Sequence, residues 1–361
     1  MVRILQCVNN MHRAGIETML MNYYRNIDRT QLQFDFLTHR PFRSDFDDEI
    51  ESMGGKIYYA PRLVPQNYPA YFAYMKRFFA EHPEYQIVHS HIDAMSYLPL
   101  LAAKKANVPV RIAHSHNTAI DLDYKYLLKQ FFRKNICKVA TNYLACGQEA
   151  GQFLFGKDNI QVIPNAIIAD QFLFDETVRR DMREKLGLSD KFIIGHVGRF
   201  AYAKNHGFLI DIFNQLQNQI PHAVLLLIGT GENEAKIKEK VRKLGLADKV
   251  QFLGVRSDVA QLYQAMDVFL LPSLFEGVPV VGIEAQFADL PCVFSNKVPR
   301  EVAFSEKCQF IDLQDPPEAW AAQIAQWESF PRNRIEAADS SYRIENAAGN
   351  LMDYYFSYLT D

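Results

Sequence analysis

The sequence predicts an α/β fold of two doubly wound units, each a parallel sheet with helices on both faces. In both halves of the chain, short apolar runs alternate with helical patterns, and this alternation is typical of a parallel sheet. A length of 361 residues also exceeds the size that one hydrophobic core usually supports. We therefore expect two domains, with the polar stretch 175–191 close to the boundary between them.

Six strands are predicted in each half of the chain. In the first half they are Arg3–Val8, Phe34–Thr38, Lys56–Tyr59, Ile87–His89, Val110–Ala113 and Tyr143–Ala145. In the second half they are Phe192–Val197, Ala223–Ile228, Val250–Leu253, Val268–Leu271, Cys292–Phe294 and Gln309–Ile311. We assign residues 1–170 to an N-terminal domain and residues 171–340 to a C-terminal domain. Helical spacing predicts an amphipathic closing helix near the end of the chain, and we join segment 341–361 to the N-terminal domain.

Composition and charge exclude several classes of protein. A formal net charge of −3 provides no chain-wide basic field, so nucleic acid is not an expected partner. No run approaches the roughly 20 apolar residues that cross a bilayer, and the first apolar run is too short for a secretory signal. Five scattered cysteines without a C-x-x-C pair are typical of reduced thiols. We expect a cytoplasmic protein whose membrane contact, if it has one, is peripheral.

The first feature with chemical meaning is Gly15, which follows the first predicted strand and begins a helix. A turn of this kind exposes backbone N–H groups that suit a phosphate. One glycine is equally consistent with a purely structural turn. Both interpretations stay open on the sequence.

Two cations mark the corresponding turn in the second half. Gly198 and Arg199 follow strand 192–197, and Lys204 precedes a predicted helix for which Asn205 is a plausible N-cap. Cations near a helix N-terminus oppose the helix dipole unless an anion lies between them. The pattern favours a diphosphate site over the alternative of two solvated surface cations.

The strongest local pattern is the pair of carboxylates Glu276 and Glu284. Glu276 and Gly277 lie in a loop after a strand, and Pro279 favours a helix start. Carboxylates accept hydrogen bonds from sugar hydroxyls, and helix-start amides donate to phosphate oxygens. The combination indicates a nucleotide-sugar site, and the alternative is that both carboxylates only stabilise the helix dipole.

In this order the motifs resemble the retaining glycosyltransferases of family GT4, which have the two-domain GT-B fold with a cleft between Rossmann-like domains. The resemblance covers nearly the whole chain and is greatest to the capsule and exopolysaccharide branch. Besides the residues above, it rests on Glu17, Ala113-His114-Ser115-His116-Asn117, Pro164-Asn165, Gly229-Thr230-Gly231-Glu232 and the segment 252–259.

The resemblance implies a reaction. A hexose or N-acetylhexosamine would pass from a UDP-sugar, with retention, to a saccharide acceptor linked to a lipid such as polyprenyl diphosphate. Arg199 and Lys204 would hold the diphosphate and stabilise the leaving group. Glu276 would contact the donor sugar, and His116 of the acceptor domain would lie beside the reacting sugar after domain closure.

The resemblance also implies a set of donor-binding residues. Glu284 would bind the ribose. The other members would contact the phosphates, the sugar or the base, and they are Gly15, Gly198, Val255, Arg256, Gly277 and Val278. Ala14 departs from the family, which usually has a glycine there, and its methyl group could restrict the approach of the backbone.

Two D-x-D stretches compete with this interpretation, Asp45-Phe46-Asp47 and Asp121-Leu122-Asp123. This spacing holds a divalent metal on the donor in the other large glycosyltransferase fold. Neither stretch follows a good strand, and the first opens a helix whose dipole the acids stabilise. We expect no metal or other cofactor, since Arg199 and Lys204 supply the positive charge.

The segment 124–138 carries five cations and no acid, interleaved with aromatic and aliphatic residues. It fits an amphipathic helix that rests on anionic lipid. It fits equally well the solvated basic face of an ordinary packed helix.

Two other functions stay open on the sequence. One is a nucleotide-sugar epimerase of the same fold, and the other is a non-catalytic subunit that binds a glycosyltransferase. The charges of Arg199, Lys204, Glu276 and Glu284 disfavour the second, because an idle site has no need of them.

Overall fold

The computed structural model describes residues 1–120, 124–158, 160–333 and 341–359. The chain forms two compact units. Unit 1 comprises Met1–Ile167 and Ser341–Asp361, and unit 2 comprises Ile168–Ser340. The end of the first segment thus lies three residues before the predicted position 170. The polar stretch 175–191 is no linker, because it belongs to unit 2 and most of it is helical.

Unit 1 contains a seven-stranded parallel sheet with the spatial order β3-β2-β1-β4-β5-β6-β7. Its strands are β1 Val2–Val8, β2 Leu32–Thr38, β3 Ile57–Tyr59, β4 Ile87–Ser90, β5 Val110–Ser115, β6 Asn142–Ala145 and β7 Gln161–Val162. The helices between them are α1 Gly15–Asn26, α2 Asp47–Ser52, α3 Tyr68–Glu81, α4 Tyr97–Lys105, α5 Tyr126–Asn135 and α6 Gln148–Phe155.

Unit 2 contains a six-stranded parallel sheet with the spatial order β10-β9-β8-β11-β12-β13. Its strands are β8 Phe192–Val197, β9 Ala223–Ile228, β10 Val250–Gly254, β11 Val268–Leu271, β12 Cys292–Ser295 and β13 Cys308–Ile311. Its helices are α7 Glu176–Leu186, α8 His206–Gln219, α9 Glu234–Lys243, α10 Val259–Ala265, α11 Val280–Phe287 and α12 Pro317–Ala325.

The central strands are buried on both faces, which explains their nearly continuous apolar sequences. In β9 every residue is buried, and α8 packs its apolar stripe against the same core. Trp320 of α12 is fully buried in this core. Burial of apolar surface at about 25 cal/mol per Å² is the main favourable contribution to such a core.

The last helix, α13 Ile344–Phe356, packs on unit 1. It contacts α1, and its buried side chains recur at helical spacing. Tyr355 meets the ring of Phe34 edge-on, with ring centroids 6.0 Å apart. Among the described residues, no helix has both the length and the apolar character needed to cross a membrane.

Both sheets reverse their strand order beside a central strand. In unit 1 the reversal lies between β1 and β4, and in unit 2 it lies between β8 and β11. Ligands of open parallel sheets bind outside the carboxyl ends of the strands at such a point. The loops after β1, β4, β8 and β11 are therefore the places to examine for function.

Candidate active site

The loops after β8 and β9 lie backbone against backbone in unit 2. A Cβ atom on Gly229, whose φ is +128°, would lie 2.2 Å from the carbonyl oxygen of Gly198. The Gly198 N–H donates to Ile228 O at 2.9 Å, and the Phe200 N–H donates to Thr230 O at 3.0 Å. Glycine is required at position 229, and this contact fixes the start of the loop that carries Arg199.

Lys204 and Glu276 form an ion pair at the strand reversal of unit 2. Lys204 Nζ donates to Glu276 Oε1 at 2.6 Å, and Ser273 Oγ donates to the same oxygen at 2.6 Å. The side chains of Lys204 and Glu276 are 19% and 12% exposed. Partial burial limits screening by solvent, so this pair is stronger than a surface ion pair.

Backbone contacts hold the two loops of this ion pair together. The Leu274 N–H donates to Ala203 O at 2.7 Å, and Asn205 Nδ2 donates to Pro272 O at 3.2 Å. Asn205 occupies the N-cap position of α8 with φ 54° and ψ 40°, but its side chain does not cap the helix. The predicted side-chain cap is wrong, because Asn205 instead ties the loop after β8 to the loop after β11.

Arg199 has a different carboxylate partner from Lys204. Its side chain is 72% exposed, and Nη2 donates to Glu232 Oε2 at 3.0 Å. Lys204 and Arg199 thus each have a carboxylate partner of their own. Both cations are therefore neutralised within the protein, and the predicted diphosphate site stays a prediction.

Glu284 is the second carboxylate of the predicted pair and is partly exposed. It lies on α11, and Tyr263 Oη donates to its Oε2 at 2.9 Å. Burial raises the pKa of Glu284 to about 7, although the Tyr263 hydrogen bond acts in the opposite direction. Gly277 and Val278 are buried in the turn before the helix. A carboxyl group that titrates near neutrality is available here for hydroxyl recognition.

Val255 and Arg256 follow β10. The Val255 side chain is exposed, whereas Arg256 forms two hydrogen bonds with Asp258, of 2.7 Å and 2.5 Å. The Asp258 contact orients the Arg256 guanidinium at the start of α10.

Gly15 is the first residue of α1 in unit 1, as predicted. A Cβ atom there would meet no other atom within 4 Å, so space remains beside the turn. Ala14 has φ −140° and ψ 176°, a conformation open to any residue, so its methyl group causes no backbone strain. Burial raises the pKa of Glu17, two residues further along α1, to about 7.

His116 belongs to a cluster of four buried histidines that the sequence analysis did not recognise. His89 and His91 stand at the end of β4, and His114 and His116 stand at the end of β5. His89 Nε2 lies 3.0 Å from His114 Nδ1, and His91 Nδ1 lies 3.0 Å from His116 Nε2. The available signal was the pair of H-x-H motifs, because residues two apart share a face at the ends of adjacent strands.

Burial keeps these histidines uncharged. It lowers the pKa of His116 to about 3 and holds the pKa values of His89, His91 and His114 well below the ordinary range. One nitrogen each of His89, His91 and His114 lies within 4.8 Å of the others, so these three could hold a metal ion. Neutral imidazole is the form that binds metals. In this structure, however, the ring nitrogens of His89 and His114 already share a hydrogen bond, and His91 Nδ1 shares one with His116.

Comparison with known sequences identifies the family. The family model described as Glycosyl transferases group 1 matches residues 178–344, and the model described as Glycosyltransferase Family 4 matches residues 13–171. The chain is 35% identical to EpsF of Bacillus subtilis, provisionally named a glycosyltransferase, over 98% of this chain and 96% of EpsF. The chain belongs to the group 1 glycosyltransferases.

Two further relatives carry more specific names. CapH of Staphylococcus aureus, a capsular polysaccharide biosynthesis glycosyltransferase, is 26% identical over 99% of this chain and 99% of CapH. An Escherichia coli enzyme named UDP-Gal:alpha-D-GlcNAc-diphosphoundecaprenol alpha-1,3-galactosyltransferase is 30% identical over 59% of this chain and 58% of its own length.

A solved structure confirms the predicted fold. Anabaena HepE, crystallised with UDP and glucose, superposes with a TM-score of 0.79. The match covers 99% of this chain and 100% of HepE at 16% identity. This glycosyltransferase therefore has the GT-B fold, and at such low identity the similarity says nothing further about its ligands.

The first D-x-D stretch of the glycosyltransferase is used structurally. Asp47 opens α2, as predicted, and its Oδ2 accepts hydrogen bonds from Tyr59 Oη at 2.7 Å and the Ser44 N–H at 3.0 Å. Asp45 accepts from the Arg13 N–H at 3.1 Å. The second stretch, Asp121-Leu122-Asp123, lies outside the described residues.

The basic segment 124–138 forms α5 and a short 3-10 turn. Phe132 packs inward, whereas Leu127 and Phe131 are 82% and 56% exposed. We call Leu127, Phe131 and Lys134 the α5 surface. Exposed apolar side chains beside a lysine are compatible with both interpretations of this segment, an ordinary helix face and a membrane contact.

The buried neutral histidines predict that acid destabilises unit 1 more than unit 2. Burial lowers histidine pKa values at five positions of unit 1 and two of unit 2, namely His39, His89, His91, His114 and His116, then His196 and His206. Between pH 6.5 and 5 the histidines of the unfolded chain bind protons, whereas the buried histidines of the folded chain stay neutral. The free energy of unfolding therefore falls. Glu17 and Glu284 act oppositely, one in each unit, because their raised pKa values favour the folded state in acid.

Each net proton corresponds to about 1.4 kcal/mol of unfolding free energy per pH unit. Both tryptophans, Trp320 and Trp327, lie in unit 2, so their fluorescence follows that unit, and far-UV circular dichroism follows both. Urea titrations at pH 7 and pH 5 give the shift of each transition on acidification. We expect the part of the dichroism transition that belongs to unit 1 to shift to a lower urea concentration than the fluorescence transition does. Equal shifts of the two signals would contradict this assignment.

Proposed function

We propose that this glycosyltransferase transfers a hexose or N-acetylhexosamine from a UDP-sugar, with retained anomeric configuration, to a lipid-linked saccharide in capsule or exopolysaccharide synthesis. The name of CapH supports the polysaccharide product, and the name of the Escherichia coli relative supports a UDP-sugar donor and a diphosphoundecaprenol-linked acceptor. The observation that carries the proposal is the ion pair of Lys204 and Glu276 at the strand reversal of unit 2.

Lys204 is suited to the donor diphosphate. Its partner Glu276 and the loop contacts hold its ammonium group in place before a ligand arrives, which reduces the entropic cost of binding. During transfer the bond from sugar C1 to the diphosphate oxygen breaks, and the electron pair stays on that oxygen. Lys204 and Arg199 would neutralise the developing charge, which is the role a divalent metal would otherwise have. No metal is required in this proposal.

Glu276 and His116 would face the sugar. Glu276 Oε1 accepts hydrogen bonds from Lys204 and Ser273, and the carboxylate would in addition accept hydrogen bonds from sugar hydroxyls. The acceptor hydroxyl oxygen would bond to C1 as its proton passes to the departing diphosphate oxygen, while His116 would hold a hydroxyl beside the reacting centre. No side chain acts as a covalent nucleophile in this proposal.

Other predicted residues would bind the ribose, the base and the phosphates of the donor. Glu284 would accept hydrogen bonds from the ribose hydroxyls, and the exposed Val255 with Arg256 would lie against the base. Backbone N–H groups at Gly15, Gly277 and Val278 would contact the phosphates or the sugar. Gly198 would lie beside the donor without donating, because its N–H is bonded to Ile228 O.

The α5 surface would bring the enzyme to its acceptor. A lipid-linked saccharide is held at a membrane, and apolar side chains beside cations favour the surface of an anionic bilayer. We propose peripheral contact with the inner face of the plasma membrane through Leu127, Phe131 and Lys134.

Replacement of Lys204 by alanine tests the donor site. We expect Lys204→Ala to lower kcat by about 100-fold or more, because it removes a charge that stabilises the leaving group. Lys249→Ala is the matched control, since Lys249 is partly exposed like Lys204 but contacts only Pro221 O among the hydrogen bonds described for its side chain. The assay follows sugar transfer from a UDP-sugar panel to polyprenyl-diphosphate-linked N-acetylglucosamine.

The same assay tests the reaction class. Proton NMR of the product gives the anomeric configuration, which retention requires to match that of the donor. An unchanged rate in Lys204→Ala, an inverted product, or donor turnover that needs no acceptor would each contradict the proposal.

Replacement of Glu284 tests ribose recognition through pH. The pKa of Glu284 is about 7, so the carboxylate that accepts ribose hydrogen bonds is lost as the pH falls from 8 to 6. We expect UDP affinity, measured by calorimetry, to weaken by up to about tenfold per pH unit below 7. Glu284→Gln should bind more weakly and lack this part of the pH dependence. The titration of UDP itself is common to both proteins, so identical pH profiles would exclude Glu284 from the site.

Vesicle binding tests the α5 surface. We expect the protein to sediment with vesicles that contain phosphatidylglycerol and to be released at high salt, because the attraction to anionic lipid is screened. Leu127→Ser with Phe131→Ser should lower the bound fraction severalfold. Phe42→Ser removes another exposed aromatic side chain of unit 1 and should leave it unchanged. Equal loss in both variants would refute a specific contact.

A further inference from the structure

Two hydrogen-bonded branches run through the histidine cluster of unit 1, and both begin at Gln6 of β1. In the first branch, His91 Nε2 lies 2.8 Å from Gln6 Oε1, and His91 Nδ1 lies 3.0 Å from His116 Nε2. Gln6 is fully buried, His91 is 1% exposed and His116 is 7% exposed. The branch therefore leads from the core to the most exposed member of the cluster.

The second branch runs away from His116. Gln6 Nε2 donates to Tyr355 Oη at 3.2 Å, and Tyr355 Oη lies 2.6 Å from His89 Nδ1. His89 Nε2 in turn lies 3.0 Å from His114 Nδ1. Tyr355 belongs to α13, so the last helix takes part in a network that reaches the ends of β4 and β5.

The Gln6 amide fixes the position of each proton in the first branch. Its oxygen can only accept, so His91 must carry its proton on Nε2. His91 is 1% exposed and its ring nitrogens contact Gln6 and His116 but no described carboxylate, so the ring is neutral and Nδ1, which has only a lone pair, accepts from His116. His116 then carries its proton on Nε2. The His116 ring is 7% exposed and is neutral for the same reason, so its Nδ1 has a lone pair and no proton.

The second branch is consistent with the same orientation of Gln6. Tyr355 accepts from the amide, so its own proton goes to His89 Nδ1, and His89 donates through Nε2 to His114. This leaves His114 Nε2 as a buried N–H without a partner among the described residues. The reversed amide would move every proton along both branches and would give His116 a proton on Nδ1.

The loop that carries His116 is also held at its backbone. The His116 N–H donates to Asp93 Oδ1 at 2.7 Å, and Asn117 Nδ2 donates to Asp93 Oδ2 at 2.7 Å. The backbone of His116 is therefore fixed by Asp93, and the rotation and tautomer of its ring are fixed by His91.

We propose that Gln6 and His91 are positioning residues that hold His116 as a fixed hydrogen-bond acceptor, with its Nδ1 lone pair available to a substrate hydroxyl. The inference rests on the proposed function only for the identity of that substrate. A hydrogen-bond acceptor held in one orientation binds a hydroxyl group that donates its proton. It does not bind a group that can itself only accept a hydrogen bond. It thereby sets the rotation of the bound sugar or acceptor group rather than its affinity alone.

The tautomer can be observed without any activity measurement. In protein labelled with ¹⁵N-histidine, long-range ¹H–¹⁵N correlation spectra at pH 7 distinguish a proton on Nε2 from a proton on Nδ1. We expect the Nε2–H pattern for His91 and His116. In Gln6→Met, His91 loses its acceptor, so its proton should move to Nδ1 and the pattern of His116 should change to Nδ1–H.

Two matched substitutions separate positioning from structural support. His89 and His91 are equally buried, and their ring centroids are 4.0 Å apart. His91→Phe breaks the branch to His116, and His89→Phe breaks only the other branch. We expect His91→Phe to lower kcat about tenfold or more with the KM for the UDP-sugar within about twofold. His89→Phe should keep at least about half of the wild-type kcat.

A conservative replacement of His91 should keep its hydrogen bond to His116 and so retain most of the activity. In His91→Asn the amide oxygen can lie near the place of Nδ1 and accept from His116, so kcat should recover most of the loss. Equal losses in His89→Phe and His91→Phe, or no recovery in His91→Asn, would show that the cluster only supports the fold and would overturn the proposal.

Two further results would overturn it independently of the reaction. One is an Nδ1–H pattern for His116 in the wild-type spectrum. The other is one bound zinc per chain in metal analysis of the purified protein, because a metal would replace the shared protons. His116→Ala separates the two proposals: wild-type turnover in this variant contradicts the catalytic assignment of His116, whereas the spectra alone decide the proton positions.

Discussion

A parallel sheet brings the carboxyl ends of all its strands to one edge, and the candidate site depends on this constraint. In unit 2 it brings Lys204, which follows β8, beside Glu276, which follows β11. In unit 1 it brings the histidines of β4 and β5 together at the ends of neighbouring strands. The chemistry of each unit is therefore a consequence of strand order as much as of residue identity.

Burial then determines the charge of the groups collected there. The imidazoles at the end of β4 and β5 are kept neutral because the sheet and its helices exclude water. Glu284 stands between the charged and neutral forms at neutral pH for the same reason. Lys204 and Glu276 are both partly buried, and their direct contact compensates for the loss of solvent. Each site combines one fixed geometry with a restricted set of protonation states.

Much of the fold could be read from the sequence, since buried parallel strands are short apolar runs and the helices between them have a regular period. All twelve predicted strands have counterparts in the structure, and within the described part of the chain the short β7 is the one strand that was not predicted. Local motifs also marked Lys204, Glu276 and Glu284 as residues of interest. The family comparison now confirms the glycosyltransferase assignment that these motifs suggested.

The lateral contacts could not be read from the sequence, because periodicity does not give the order of strands in a sheet. Lys204 and Glu276 are 72 positions apart in the chain, and Gln6 and Tyr355 are 349 apart. Without the knowledge that β8 neighbours β11, Arg199 was grouped with Lys204, although its own contact is with Glu232. Asn205 was assigned to helix capping for the same reason, since its partner Pro272 lies in the loop after β11, which is distant in sequence.

The position of Tyr355 near the end of the chain affects the order in which the protein is built. The segment Met1–Ile167 of unit 1 is synthesised before unit 2, yet α13 emerges only after the whole of unit 2. At roughly 5–20 residues per second, the N-terminal sheet must wait on the order of 10–40 s for its last helix. During that interval Gln6 and His89 lack the tyrosine hydroxyl, whereas unit 2 already has its complete sequence. The half that is synthesised first is therefore the half that is completed last.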